Sequence, residues 1–205
     1  MVAKRFFYVC AGILCLALAY HLGAQSATAQ SGGGRAAPQT TQKTAPSTEE
    51  KTKFERFTSR KGSLIVKEYY AVGKIQGDHS QAKVDAAVVS SPGDPVKAYA
   101  LRFEIQGYSS SAIAALDFDE ATTLSSDLTR MIEMAQKMAS GVDPYTEVTF
   151  ESLAGFRAGF LQTGNEQTAF ILGSNSNLFF KIEDLPVAKA TIDAGVAKLR
   201  ALGAK

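Results

Sequence analysis

Two short stretches, Leu116–Glu120 (LDFDE) and Phe180–Asp184 (FKIED), organise the rest of this chain. In each of them an apolar alternating run ends and a helical run begins. The offset between the stretches persists through the helical runs, where the matched apolar positions are Leu128 with Ile192, Ile132 with Val196, Ala135 with Leu199, and Met138 with Leu202. Two strand-to-helix junctions in constant register predict one folding unit that is used twice.

The first repeat is predicted over residues 63–140 and contains four strands and a helix. Period-two alternation and an enrichment in β-branched and aromatic residues indicate the strands. They are predicted at Ser63–Ile75, with a bulge near Gly73, and at Ala82–Val89, Val96–Ile105 and Ala112–Leu116. The helix is predicted to begin near Asp119, where Asp117 or Asp119 can cap exposed N–H groups. Its apolar stripe consists of Leu124, Leu128, Met131, Ala135 and Met138.

The second repeat, predicted over residues 145–203, follows the same plan in fewer residues. Its strands are predicted at Tyr145–Ser152, Gly155–Thr163, Thr168–Leu172 and Leu178–Ile182. The helix is predicted from Glu183 to Leu202, with Pro186 in the first turn, where a missing N–H costs nothing. Its apolar stripe consists of Ala188, Ile192, Val196, Leu199 and Leu202.

These elements predict an α+β fold made of two tandem β-β-β-β-α repeats. Short turns between the strands make each four-stranded sheet antiparallel, and a C-terminal helix covers each sheet. Half-domains of this size have thin cores, so we expect the two repeats to pack against each other.

The N-terminal residues resemble an export signal. Lys4 and Arg5 precede the apolar run Phe6–Leu22, and the small residues before Gln30 fit signal peptidase. A signal peptide is therefore predicted over residues 1–29, with cleavage between Ala29 and Gln30. The alternative is an uncleaved membrane anchor, because the run is near the lower length limit for a bilayer span. The predicted location is periplasmic or extracellular.

The segment after the signal peptide, residues 30–53, contains a Gly32–Gly34 run, prolines and many polar residues. It has too little apolar surface to offset the entropy of ordering, so a disordered polar linker is predicted. A single α+β domain is predicted over residues 54–205. Phe54–Thr58 is expected to form a lead-in turn whose two phenylalanines pack on the domain.

Composition excludes several chemistries in the mature chain. The chain has 22 basic and 20 acidic residues, and removal of Lys4 and Arg5 with the signal peptide leaves equal numbers. Both cysteines, Cys10 and Cys15, lie in the segment that would be removed, and neither follows a convincing lipobox. Disulfides, thiolate metal sites and thiol catalysis are therefore not expected. No cofactor is predicted.

The acidic run Asp117, Asp119 and Glu120 has two interpretations. Its carboxylates could hold a divalent cation, or they could belong to an ordinary helix N-terminus. The acids Glu183 and Asp184 at the equivalent junction favour the second, which predicts that alanine at Asp119 lowers stability by about 0.5–2 kcal/mol. His79 lies in a polar turn, and a lone histidine cannot assemble a metal site. We therefore predict no catalytic residues and no metal site.

Strand aromatics offer a different hypothesis. Six of them could stack nucleic-acid bases, although alternating aromatics more often form a core: Tyr69, Tyr70, Tyr99, Phe103, Phe156 and Phe160. The tandem element order over Ser63–Leu202 resembles that of the Whirly and PUR families, which implies single-stranded nucleic-acid binding on the sheets. Val96–Leu101 (VKAYAL) is the nearest stretch to the Whirly K-G-K-A-A-L signature, but it lacks the Lys-Gly pair and the following lysine.

The chain also resembles uncharacterised secreted bacterial proteins that combine a signal peptide, a polar linker and an α+β domain. We therefore expect an exported, non-enzymatic protein that binds a protein or an envelope component, for example by accepting a partner strand at a sheet edge. The alternative is a single-stranded nucleic-acid-binding protein. A hydrolase built from carboxylates that meet only in three dimensions is a third hypothesis, because such pairs have no linear spacing rule.

Overall fold

The structure, a computed structural model, describes residues 51–107, 109–138 and 142–205, without the side chains of 142–144. The predicted signal peptide, its cleavage site and residues 30–50 of the predicted linker lie outside the described residues. The described residues all belong to one compact unit.

The described residues form eight strands, three α-helices and one 3-10 turn. The first part contains α1 (Lys53–Thr58), β1 (Val66–Gln76), β2 (Gln81–Ser90), β3 (Ala98–Gln106), β4 (Ser111–Asp117) and α2 (Phe118–Met138). The second part contains β5 (Val142–Glu151), β6 (Arg157–Gly164), β7 (Glu166–Leu172), β8 (Asn177–Lys181), the 3-10 turn Ile182–Asp184 and α3 (Leu185–Ala201).

Two antiparallel four-stranded sheets, each followed by a helix, confirm the predicted fold class. The strand orders are β1-β2-β3-β4 and β5-β6-β7-β8, so every sheet neighbour is also a sequence neighbour. The register of β1 against β2 shifts between Ala71 and Gly73, which confirms the bulge predicted near Gly73.

Both helices bury the predicted apolar stripes. Leu124, Leu128, Met131 and Ala135 are buried in α2, and Ala188, Ile192, Val196 and Leu199 are buried in α3. The two junctions differ in detail. α2 follows β4 directly, whereas a 3-10 turn separates β8 from α3, which begins two residues after the predicted Glu183.

Each of the two long helices, α2 and α3, contacts the sheet of the other repeat. α3 packs on β1, β2 and β3 of the first sheet, and α2 contacts β5 and β6 of the second sheet as well as β3, β4 and α3. A Cβ added to Gly195 of α3 would lie 2.3 Å from Leu101 Cδ1, so α3 sits unusually close to the first sheet. The Gln162 side-chain amide of β6 donates to Met138 O at 2.9 Å and so satisfies a carbonyl at the C-terminus of α2.

One core therefore spans both repeats. It joins buried residues of both sheets and both helices, and the rings of Phe103 and Phe156 meet across the repeats with their centroids 4.7 Å apart. A smaller cluster lies on the opposite face of the first sheet, where Phe54 and Phe57 of α1 cover a set of small residues: Ala87, Val89, Ala98 and Ala100. The predicted packing of the two phenylalanines is confirmed.

Candidate anion-binding cavity

The acidic run at the start of α2 fixes the position of α1. Asp117 is buried, and its carboxylate accepts hydrogen bonds from the backbone N–H groups of Lys53 at 2.6 Å and Phe54 at 2.9 Å. These N–H groups belong to the first turn of α1, whose donors have no partner within the helix. Asp117 therefore supplements the Thr52 cap of α1, a helix that precedes it by about sixty residues, rather than capping α2.

The other two acids of the run have separate partners. Asp119 is exposed and forms an ion pair with the Lys53 ammonium at 2.9 Å. Glu120 accepts hydrogen bonds from Asp117 N at 3.0 Å and from Leu153 N at 2.8 Å, and so links α2 to the turn between β5 and β6. The run thus ties together α1, α2 and the second sheet.

Replacing Asp117 by alanine is expected to lower the free energy of unfolding by about 1–2 kcal/mol, because the N–H groups of Lys53 and Phe54 lose their acceptor while Thr52 still caps α1. The measurement is urea denaturation followed by circular dichroism. Asp119→Ala is the matched control, and its loss should be smaller because an exposed ion pair contributes about 0.2–1 kcal/mol. An equal loss at the two positions would contradict the assignment of a supplementary cap to Asp117.

The other candidate residues lie apart from one another. His79 is exposed in the turn between β1 and β2. Phe103, Phe156 and Phe160 are fully buried and cannot stack on a base, whereas Tyr69 is half exposed. Tyr70 and Tyr99 are partly buried and pack against the core. The described residues contain no cluster of three or more His, Cys, Asp or Glu side chains that could hold a metal ion.

A cavity beside α1, here called the α1 cavity, is rich in basic side chains. Its volume is about 550 Å³, and it is bounded by α1, the start of β3, the start of α2 and residues 203–205 after α3. Five basic residues line it: Lys53, Arg56, Arg60, Lys97 and Lys205. Asp119 is the one acid of the described residues in its lining.

Aromatic rings provide the apolar part of the lining. They are Phe57 of α1, Tyr99 of β3 and Phe118 of α2. The Arg60 guanidinium lies 4.0 Å from the centroid of the Phe57 ring, a distance at which cation–π attraction holds it in place. A cavity of this size that combines apolar walls with a few convergent charges has the character of a ligand site.

Two of the five cations are already paired with acids. Arg60 donates to the Asp94 carboxylate at 2.6 Å, and this hydrogen bond holds the pKa of Asp94 below its usual value. The hydrogen bond between Lys53 and Asp119 lowers the pKa of Asp119 and raises the pKa of Lys53, so both pairs stay charged at neutral pH. No carboxylate of the described residues pairs with Arg56 or Lys97. The cavity therefore keeps an uncompensated positive charge.

A larger cavity, of about 920 Å³, lies between α2 and the 3-10 turn. Its charged lining is mixed, because it includes Glu166 and Glu183 together with Lys181. This cavity shows no preference for ligands of one charge, in contrast to the α1 cavity.

Sequence reasoning did not identify the α1 cavity. The sequence pattern places Lys53 in the predicted linker and indicates no role for Arg56 or Arg60. A local signal was present, because Lys53, Arg56 and Arg60 recur at helical spacing beside Phe57. The convergence of these residues with Lys97 depends on how α1 crosses the sheet.

Comparison of the sequence with protein-family models and with curated proteins finds no match. Within the described ranges, no helix has the length and apolar character needed to span a bilayer.

Proposed function

We propose that this chain is an exported, non-enzymatic binding module that holds an anionic group of a protein or an envelope component in the α1 cavity. The observation that carries the proposal is the convergence of five basic residues around an aromatic-lined cavity, where Arg56 and Lys97 have no acidic partner among the described residues. The predicted signal peptide supports an extracytoplasmic location.

The chemistry of the lining favours carboxylate or phosphate groups. An arginine presents its N–H donors in a planar fork that matches both groups, and charge-assisted hydrogen bonds are the strong ones. Arg56 provides such a fork, and Lys97 adds a second positive charge without an acidic partner among the described residues. The aromatic walls exclude water from one side of a bound anion, which strengthens its attraction to the cations.

A non-enzymatic role is consistent with the positions of the reactive residues. Asp117 and Glu120 accept hydrogen bonds from backbone N–H groups and so serve the packing of α1 and of the turn between β5 and β6. His79 stands in an exposed turn. General acid–base catalysis needs such groups within hydrogen-bond reach of a bound substrate.

The proposal predicts that a labelled oligoglutamate peptide binds the protein at low salt and that Lys97→Glu weakens this binding about tenfold or more. Reversing the charge replaces an attraction inside the cavity by a repulsion. Fluorescence anisotropy measures the affinity, and a neutral oligoglutamine peptide controls for non-specific association. Lys137→Glu, at an exposed position in the last turn of α2, is the matched variant and should bind normally.

Two outcomes would contradict the proposal. One is the absence of oligoglutamate binding at low ionic strength, where attraction between charges is strongest. The other is equal weakening by Lys97→Glu and Lys137→Glu, which would indicate attraction to the whole surface instead of the α1 cavity.

A second candidate function, single-stranded nucleic-acid binding, is supported by the outer face of the first sheet. Lys67, Lys74 and Lys83 share this face with the half-exposed Tyr69, and the Arg102 guanidinium lies 5.2 Å from the centroid of the Tyr69 ring. Ion pairs of Arg102 with Asp85 and Glu104 reduce its positive charge. This candidate predicts salt-sensitive binding of oligonucleotides that Lys67→Glu weakens. Normal oligonucleotide binding by this variant would exclude this face as the site.

A further inference from the structure

We infer that the anionic partner of the α1 cavity is a phospholipid surface, on which the protein docks through the edge of the cavity. The inference rests on the proposed function and specifies its partner. It starts from two exposed apolar side chains, one in the segment before β1 and one in the lining of the cavity. Leu64 is 71% exposed and Val96, which also lines the cavity, is 56% exposed.

Hydrogen bonds hold these two side chains at one end of the first sheet. The Ser91 hydroxyl, at the end of β2, donates to Leu64 O at 2.8 Å. The Asp94 carboxylate accepts from Val96 N at 2.8 Å and from the Arg60 guanidinium at 2.6 Å. The segment before β1 and the turn between β2 and β3 are therefore tied together, which fixes the backbone at Leu64 and at Val96.

Basic residues are sequence neighbours of both apolar residues. Arg60 and Lys61 precede Leu64, and Lys97 follows Val96. We call this surface the basic–apolar rim and define it by Arg60, Lys61, Leu64, Val96 and Lys97. Scattered exposed apolar residues are ordinary, but Val96 is exposed and also lines a cavity that contains Arg60 and Lys97.

A phospholipid surface can contact both the basic side chains and the apolar side chains of the rim. Lysine or arginine near an anionic membrane strengthens binding by about fivefold per residue, and apolar side chains gain by entering the boundary between headgroups and acyl chains. An acidic protein would match the cations but would leave Leu64 and Val96 without an apolar environment, unless it supplied a matching patch. A phospholipid provides the phosphate for the cavity and the apolar layer for the rim.

Vesicle flotation tests this inference with the mature chain that begins at Gln30. The expected result is binding to phosphatidylglycerol vesicles that exceeds binding to phosphatidylcholine vesicles about tenfold or more. Leu64→Asn should reduce this preference severalfold while leaving oligoglutamate binding intact, because Leu64 lies outside the lining of the α1 cavity and the substitution changes no charge. Lys97→Glu should weaken both. Circular dichroism of each variant verifies folding.

Matched variants and a soluble competitor make the result decisive. Val187→Asn, at a position of α3 that is 63% exposed, should leave vesicle binding unchanged. Vesicle binding that Val187→Asn weakens as much as Leu64→Asn would overturn the assignment to the rim. Displacement by millimolar inorganic phosphate alone would mean that the cavity takes a free anion, and would overturn the lipid proposal.

The outcomes also separate the inference from the proposed function. If oligoglutamate binds in a manner that depends on Lys97 but the two kinds of vesicle bind equally, the lipid inference fails and the proposed function stands. If neither oligoglutamate nor phosphatidylglycerol vesicles bind, both fail.

Discussion

Replacing Phe103 by alanine is expected to lower the free energy of unfolding by about 3–5 kcal/mol, the range for deleting a fully buried phenylalanine side chain. Phe103 lies in the central strand β3 and has no exposed surface. Its ring contacts Phe156 of the other repeat, so the cavity left by alanine would open where the two repeats meet. Urea denaturation followed by both fluorescence and circular dichroism measures the loss.

The same experiment examines whether the repeats unfold together. Because one core spans both sheets, we expect the two probes to give a single coincident transition in the native protein and in the variant. Phe179→Ala is the matched control, since that ring is 42% exposed, and it should cost about 1 kcal/mol or less. Two separated transitions in the native protein would contradict a shared core.

The close approach of α3 to the first sheet yields the second large effect. Gly195→Val places a Cβ where Leu101 Cδ1 is only 2.3 Å away, and Leu101 is fully buried and cannot move aside easily. Such overpacking typically costs about 1–3 kcal/mol. Leu101→Ala alone should cost about 2–5 kcal/mol by opening a cavity. The double variant should lose less than the sum, because the valine occupies part of the space that the leucine vacates.

The double-mutant cycle is measured by urea denaturation of the native protein, both single variants and the double variant. Ala194→Val controls for helix propensity, because position 194 is exposed and a β-branched residue there costs only a few tenths of a kcal/mol. Strict additivity of the losses at positions 101 and 195 would mean that the two residues are not in contact, and would contradict the packing of α3 on the first sheet.

The α1 cavity illustrates why overall composition gave no indication of a site. The predicted mature chain contains equal numbers of acidic and basic residues, which excludes a strongly charged molecule but not a local concentration of charge. Lys53 and Arg56 belong to α1 and Arg60 follows its C-terminus, whereas Lys97 precedes β3 and Lys205 follows α3. Their charges combine only because α1 crosses the end of the first sheet.

The sequence by itself determined the element order, the two antiparallel sheets and the apolar stripes of both helices. These features depend on short-range physics, since alternation and helical periodicity record which face of each element is buried. The matched pairs Leu128 with Ile192 and Ala135 with Leu199 are indeed buried in both repeats. The bulge near Gly73 was predictable for the same reason, because a glycine in a long strand is a local signal.

Only the tertiary structure decided which elements meet. A periodic stripe shows that a helix is covered, but many sheets of similar apolar character could cover it, and so the crossing of α3 onto the first sheet had no local signature. Of the two residues predicted to cap α2, Asp117 instead accepts hydrogen bonds from the N–H groups of Lys53 and Phe54 in α1, so that part of the prediction was wrong. A carboxylate accepts a hydrogen bond from whichever unpaired N–H group the fold brings within reach, and that choice is made in three dimensions.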